Sequence, residues 1–151
     1  MDKLVLSEIL PHQRGMILLS RVLDYDCERG LLTAEYDVDE GCLFYDPVIG
    51  GIYAWVSFEC MAQSISALSG LTEREKGLKP RVGFILSVSG LELRRPVLPA
   101  GSTIHISVSE DYKADQIFNF HAQVSLADEV VAVARLSVME LDENLAVLEG
   151  L

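Results

Sequence analysis

The chain has 151 residues, half of them hydrophobic, and carries a formal net charge of −11. A single domain, 1–151, with one sizeable core is expected at this length. The acidic balance argues against nucleic acid or an anionic membrane surface as the main partner, because phosphates must be neutralised by Lys and Arg.

Along the chain, a short helix or turn is expected around Ser7–Leu10, ended by Pro11. Met16 to Leu23 follows as a strand. After a turn at Gly30, a second strand runs from Leu31 to Val38 with Leu32, Ala34 and Tyr36 on one face. "DEGCLFYDPVIGG" is loop, punctuated by Gly41, Pro47, Gly50 and Gly51. A helix is predicted from about Ile52 to Gly70, with Gly70 as its stop, and "TEREKGLKPR" as a charged surface connection.

From there the hydrophobic period is two. Val82 to Arg94 is one long strand, and Pro96, Pro99 and Gly101 mark a turn. The next strand alternates Ile104, Ile106 and Val108 against His105, Ser107 and Ser109. Asp115 opens another, with Phe118, Phe120, Ala122, Val124 and Leu126 on one face and His121 on the other. A hairpin turn in "ADEVV" leads to a last strand, Val130 to Glu140, and the tail beyond Leu141 is expected to be loose or a short extra turn.

Three cysteines, Cys27, Cys42 and Cys60, stand far apart with no C-x-x-C pair. Zinc and disulfide frameworks are poor readings, no metal site is expected, and a reducing cytoplasm fits. Glu8 comes early and no basic-then-apolar signal segment is present.

The predicted helix holds the most informative residue. From Val48 to Leu71, Glu59 is the only charged side chain. The stretch is long enough to raise a membrane span. Its Gly, Ser and Ala content, with Glu59 and Gln63 near the middle, favours a buried helix of a soluble domain instead, since an acid inside a bilayer is costly. A helix apolar nearly all round must bury most of its surface. A curved antiparallel sheet of five or six strands wrapped around it gives an α+β architecture. Buried acids are rare unless they are paired or employed, so Glu59 is either a functional carboxyl or a hydrogen-bonded packing residue. Gln63, one turn on, shares its face; it either orients that carboxyl or satisfies its own amide in the fold.

Three blocks carry a resemblance: "LPHQRGMILLSRVL", "FECMAQSISALSG" and "FILSVSGLELRRPVLPAG". In order and at about the right spacing, they resemble the hotdog-fold 3-hydroxyacyl-acyl carrier protein dehydratases. The "LPH" start and a Trp just before the Glu are most similar to the dehydratase-like proteins of aryl-polyene clusters. The resemblance implies a hotdog fold, a long central helix wrapped by a five- to six-stranded antiparallel sheet. It implies a dimer joined edge to edge with active sites at the interface. In the family a His takes the α-proton and a carboxylate on the central helix, from the opposite protomer, helps protonate the leaving hydroxyl.

Glu59 matches that carboxylate within E-x-M-A-Q. The family's His position falls on Tyr45, with Pro47 in the place of the family's Pro, and Tyr53 and Ala54 replace the usual P-G before the helix. A phenol is a poor base at neutral pH, so this departure bears directly on the chemistry. His12, in "LPHQRG", is the candidate replacement base, or a loop His bonded to backbone; His105 and His121 read as surface residues. Gln63, Tyr45, Trp55 and Ala54 are the implied acyl-binding residues. No cofactor is implied, the substrate riding on the phosphopantetheine arm of an acyl carrier protein. That acidic partner would dock on Arg14, Arg94 and Arg95, which are otherwise ordinary strand-end charges. The assembly would be a homodimer or larger homo-oligomer, or a heterodimer with a related dehydratase. A 3-hydroxyacyl dehydratase of fatty acid or polyene biosynthesis is thus expected first. The alternatives are an acyl-thioester hydrolase, or a non-catalytic acyl-binding subunit beside an active dehydratase.

Overall fold

The computed structural model describes residues 3–10 and 14–141. A short helix α1 (Lys3–Ile9) and a 3-10 turn (Arg14–Met16) precede strands β1 (Arg21–Asp26) and β2 (Leu31–Asp37). A short strand β3 (Gly51–Tyr53) leads into the long helix α2 (Val56–Glu75). Strands β4 (Val82–Leu93), β5 (Val97–Pro99), β6 (Thr103–Ala114), β7 (Ile117–Leu126) and β8 (Glu129–Leu141) complete the fold. Six strands make one antiparallel sheet in the order β1-β2-β6-β7-β8-β4, and β3 pairs with β5 in a separate ribbon.

The period-two pattern accounts for the sheet. Leu32, Ala34 and Tyr36 of β2, Ile104, Ile106 and Val108 of β6, Phe120, Ala122 and Val124 of β7, and Ala134, Leu136 and Val138 of β8 all point inward and are buried. They close over Val56, Cys60, Met61, Ile65, Ala67, Leu68 and Leu71 of α2, which form one continuous core with them. Ala127 and Asp128 both take positive φ (48° and 66°), the conformation that a two-residue hairpin between right-twisted strands requires.

Several boundaries differ from the sequence reading, beginning with the first helix, which is Lys3–Ile9 rather than Ser7–Leu10. The first strand begins at Arg21 rather than Met16, because Leu18 N–H is taken by the Gln63 side chain instead of a neighbouring strand. Ile52 belongs to β3, opposite Leu98, so α2 starts at Val56, and the supposed Pro96–Pro99 turn is strand β5. Asp115 lies in the turn between β6 and β7 with φ 56°.

Gly70 does not stop α2. It is buried within the helix, where a Cβ would collide with the carbonyl oxygen of Ile9 as α1 crosses. The stop is Gly77, at φ 73°, with Gly77 N–H donating to Arg74 O (3.0 Å) and Leu78 N–H to Glu73 O (2.9 Å). That pair of bonds is a Schellman cap, and the left-handed residue it needs is supplied by a glycine. Among the described residues, no helix is long and apolar enough to cross a membrane.

Candidate functional site

Helix α2 leans on β2, β6 and β7, while the β8–β4 end of the sheet runs past it. Between helix and sheet lies a groove with a cavity of about 230 Å³. The helix side is a half-buried stripe at three- and four-residue intervals: Glu59, Ala62, Ser66 and Ser69. Phe84 and Ile85 of β4, with Leu136 and Val138 of β8, form the facing wall. Glu59 is therefore one end of a groove that is apolar through its middle and meets Arg81 and Glu140 at the other.

Gln63 holds that carboxyl. Its side chain is fully buried. Gln63 Nε2 donates to Glu59 Oε1 (3.1 Å) and to Met16 O (2.8 Å), while its Oε1 accepts from Leu18 N–H (2.8 Å). Both roles weighed from the sequence are thus present at once: the amide spends both donors, and one of them reaches the carboxylate. The same bonds tie the segment around Met16–Leu18 to the helix, so the "LLS" and "MAQ" parts of the chain are one construction.

The other site residues fall elsewhere. Ala54 is buried and Trp55 is 54% exposed, and they line a separate depression with Leu93, Arg94, Arg95 and Pro96. Trp55 meets Phe44 edge to face, with ring centroids 5.6 Å apart and planes at 68°. Arg94 Nε donates to Glu92 Oε1 (3.0 Å) and Arg95 Nε to Val97 O (3.0 Å), and both residues line the same depression as Trp55. Tyr45 is half-buried, in a turn where its N–H donates to Cys42 O (3.1 Å), and it is not among the residues lining the Glu59 groove. His12 and the side chain of Arg14 lie outside the described residues. His105 is exposed and sits 3.3 Å from Glu35, and His121 is half-buried opposite Ser109 and Arg135. One protomer thus joins Glu59 with Gln63, and Ala54 with Trp55, in two separate depressions.

Two residues at the groove's far end, Arg81 and Glu140, and Glu73 behind them escaped the sequence reading. Arg81 Nε lies 3.3 Å from Glu73 Oε1. Burial pushes the Glu140 carboxyl up, opposed by a Ser69 hydrogen bond and Arg81 and reinforced by Glu73 and Glu110. A signal was present for Glu140, which shares the inward parity of Ala134, Leu136 and Val138. Glu73 was hidden by the misplaced helix stop, which assigned it to the surface.

A family profile described as ApeP-like, ApeP dehydratase, matches residues 4–149. The 3-hydroxyacyl-acyl-carrier-protein dehydratase FabZ of Anaeromyxobacter dehalogenans is 23% identical over 149 residues, covering 95% of this chain and 93% of that one. FabZ of Bradyrhizobium diazoefficiens is 28% identical over 140 residues, covering 89% and 88%. Among solved structures, the dehydratase heterocomplex ApeI:P of Xenorhabdus doucetiae superposes with a TM-score of 0.84 at 22% identity over 95% of both chains. A hypothetical thioesterase with coenzyme A from Streptococcus pneumoniae gives 0.62 at 11% identity, covering 80% of this chain and 84% of that one. The fold is the hotdog fold, with α2 as the central helix.

Proposed function

This chain belongs to the ApeP-like dehydratase family, and on that premise we propose that it removes water from a 3-hydroxyacyl thioester carried by an acyl carrier protein, as one subunit of a two-subunit dehydratase. The observation that carries the reading is Glu59, facing an apolar groove and held by a buried glutamine. Elimination breaks a C–H bond beside the thioester carbonyl and a C–O bond one carbon further on. The leaving hydroxyl needs a proton, and Glu59, held by Gln63 where an acyl chain would lie, gives it. The base is a histidine, from His12 or from the partner subunit, because Tyr45 stands where the resemblance places one.

The partner is a related hotdog subunit laid against β4. The sheet ends at that strand, and Phe84, Ile85, Leu86, Val88, Leu91 and Leu93 are exposed along it. A long apolar edge left open to water invites further strand pairing. The ApeI:P heterocomplex of the Xenorhabdus relative supports a partner of this kind. The carrier protein would dock at the depression that Trp55 shares with Arg94 and Arg95, a local pair of cations on an acidic molecule.

The test is an ultraviolet assay for enoyl thioester with the isolated assembly and a 3-hydroxyacyl carrier substrate. Glu59→Gln is expected to lower the rate by roughly 10²-fold or more with an unchanged circular dichroism spectrum. A rate that survives this substitution overturns the role of Glu59. Tyr45 favours a second reading, a non-catalytic acyl-binding subunit. Under that reading the assembly dehydrates equally well with Glu59→Gln, and Tyr45→His brings no gain.

A further inference from the structure

Beyond the Glu59 groove lies a second cavity, of about 200 Å³, which the proposed chemistry leaves unused. It sits at the C-terminal end of α2, between Thr72 and Glu73 of the helix, Glu110 and Lys113 of β6, and Phe120 of β7. Ser69, Arg81 and Glu140 belong to the walls of both cavities. The groove is therefore apolar through its middle, past Ala62, Ile65, Phe84 and Val138, and charged where it stops. Along the helix the distance from Glu59 to Ser69 is about 15 Å.

Arg81 stands in the partition. Its Nε lies 3.3 Å from Glu73 Oε1, and Lys76 Nζ lies 3.7 Å from the same oxygen. Glu73 and Glu140 are each only 5% exposed. Swinging the guanidinium away would leave two buried carboxyls with less opposing charge, so the side chain is held in place. A hydrocarbon chain growing along the groove gains contact until it reaches this pair. The next methylene must then displace an ion pair whose carboxylate is almost wholly buried, and offers it nothing in return.

We propose that Arg81, pinned by Glu73, is the end wall of the acyl groove and sets the longest chain the protein accepts, the chamber behind it opening to longer acyl groups only when that side chain is shortened. The inference rests on the reading of the groove as an acyl site. Its test is therefore a binding measurement that needs no turnover. The full chain, isolated in the assembly it forms, is titrated calorimetrically with saturated acyl-phosphopantetheine amides from butyryl to hexadecanoyl. Wild-type affinity should rise with length and then fall at a cut-off.

Arg81→Ala should move that cut-off to longer chains, with a gain of roughly tenfold or more for the first chain past the wild-type limit. If Arg81→Ala fails to fold, Arg81→Lys keeps the counter-charge that Glu73 and Glu140 need, and its smaller head should give a smaller shift in the same direction. An unmoved cut-off in a folded variant overturns the proposal. A wild-type assembly that binds acyl chains with an Arg81-sensitive cut-off but forms no enoyl thioester would sink the proposed chemistry alone, and absence of acyl binding at any length would sink both.

Discussion

Gln63 shows how one side chain couples folding to the site. Replacing it with leucine keeps the volume but removes the partners of Met16 O and Leu18 N–H as well as the bond to Glu59. The orphaned Leu18 N–H, buried in the wild type, outweighs the apolar gain, because an unmet buried donor costs about 1–3 kcal/mol. Gln63→Leu should therefore lower the melting temperature and also slow dehydration in the fraction that folds; a variant as stable as wild type would contradict the clamp. Glu140 makes a prediction of the opposite sign. Its folded-state carboxyl is raised by burial, so the folded chain holds that proton more tightly than the unfolded chain. The stability owed to this group is greatest below the unfolded carboxyl value of about 4.3 and falls as pH rises through the raised folded value. Glu140→Gln, neutral at every pH, should melt above wild type at pH 8, with the gap closing toward pH 4.

At the scale of elements, the two glycines at the end of α2 separate two physical effects. Alanine favours a helix interior by about 1 kcal/mol over glycine, so propensity alone predicts that Gly70→Ala stabilises. The crossing of α1 decides otherwise, since the added Cβ meets the backbone of Ile9 and cannot be relieved by a rotamer change. Forced overpacking of this kind costs roughly 3 kcal/mol, a drop of roughly 10 °C in melting temperature for a chain of this size. Gly77→Ala has open space around it and loses only the ease of its left-handed φ of 73°. That costs about 1 kcal/mol, a fall of a few degrees. Thermal melts of both variants check the order; equal losses would mean that α1 does not press on Gly70.

At the scale of the molecule, the sheet has two edges, β1 and β4, and β4 is the more apolar of them. Strand β4 has a neighbour only in β8 among the described residues, and nearly all of its apolar side chains are exposed. The assembly proposed above predicts that Leu86→Lys, half exposed on that strand, converts the isolated species to a monomer by light scattering while the far-ultraviolet spectrum stays unchanged. An unaltered mass would place the partner elsewhere. Glu59 lies in the groove beside β4, and Trp55 in a second depression near the end of that strand, so a partner on this edge would lie close to both.

Much of this was legible in the residues. Period two marked the inward faces of β2, β6 and β7, because alternate side chains of a strand must face opposite ways. A lone acid on an apolar helix singled out Glu59, which the structure places half-buried on the groove rather than inside the core. Those facts are local, and a linear sequence carries local facts well. What the tertiary structure alone decided was non-local. Gly70 marks a crossing by a helix 61 residues earlier, counted from Ile9. Leu18 gives its N–H to a side chain 45 residues away. Arg81, Glu73 and Glu140, read separately as surface or strand-end charges, become one wall only when the end of α2 and the end of β8 meet. Spacing along a chain is silent about such meetings, because they depend on how whole elements pack.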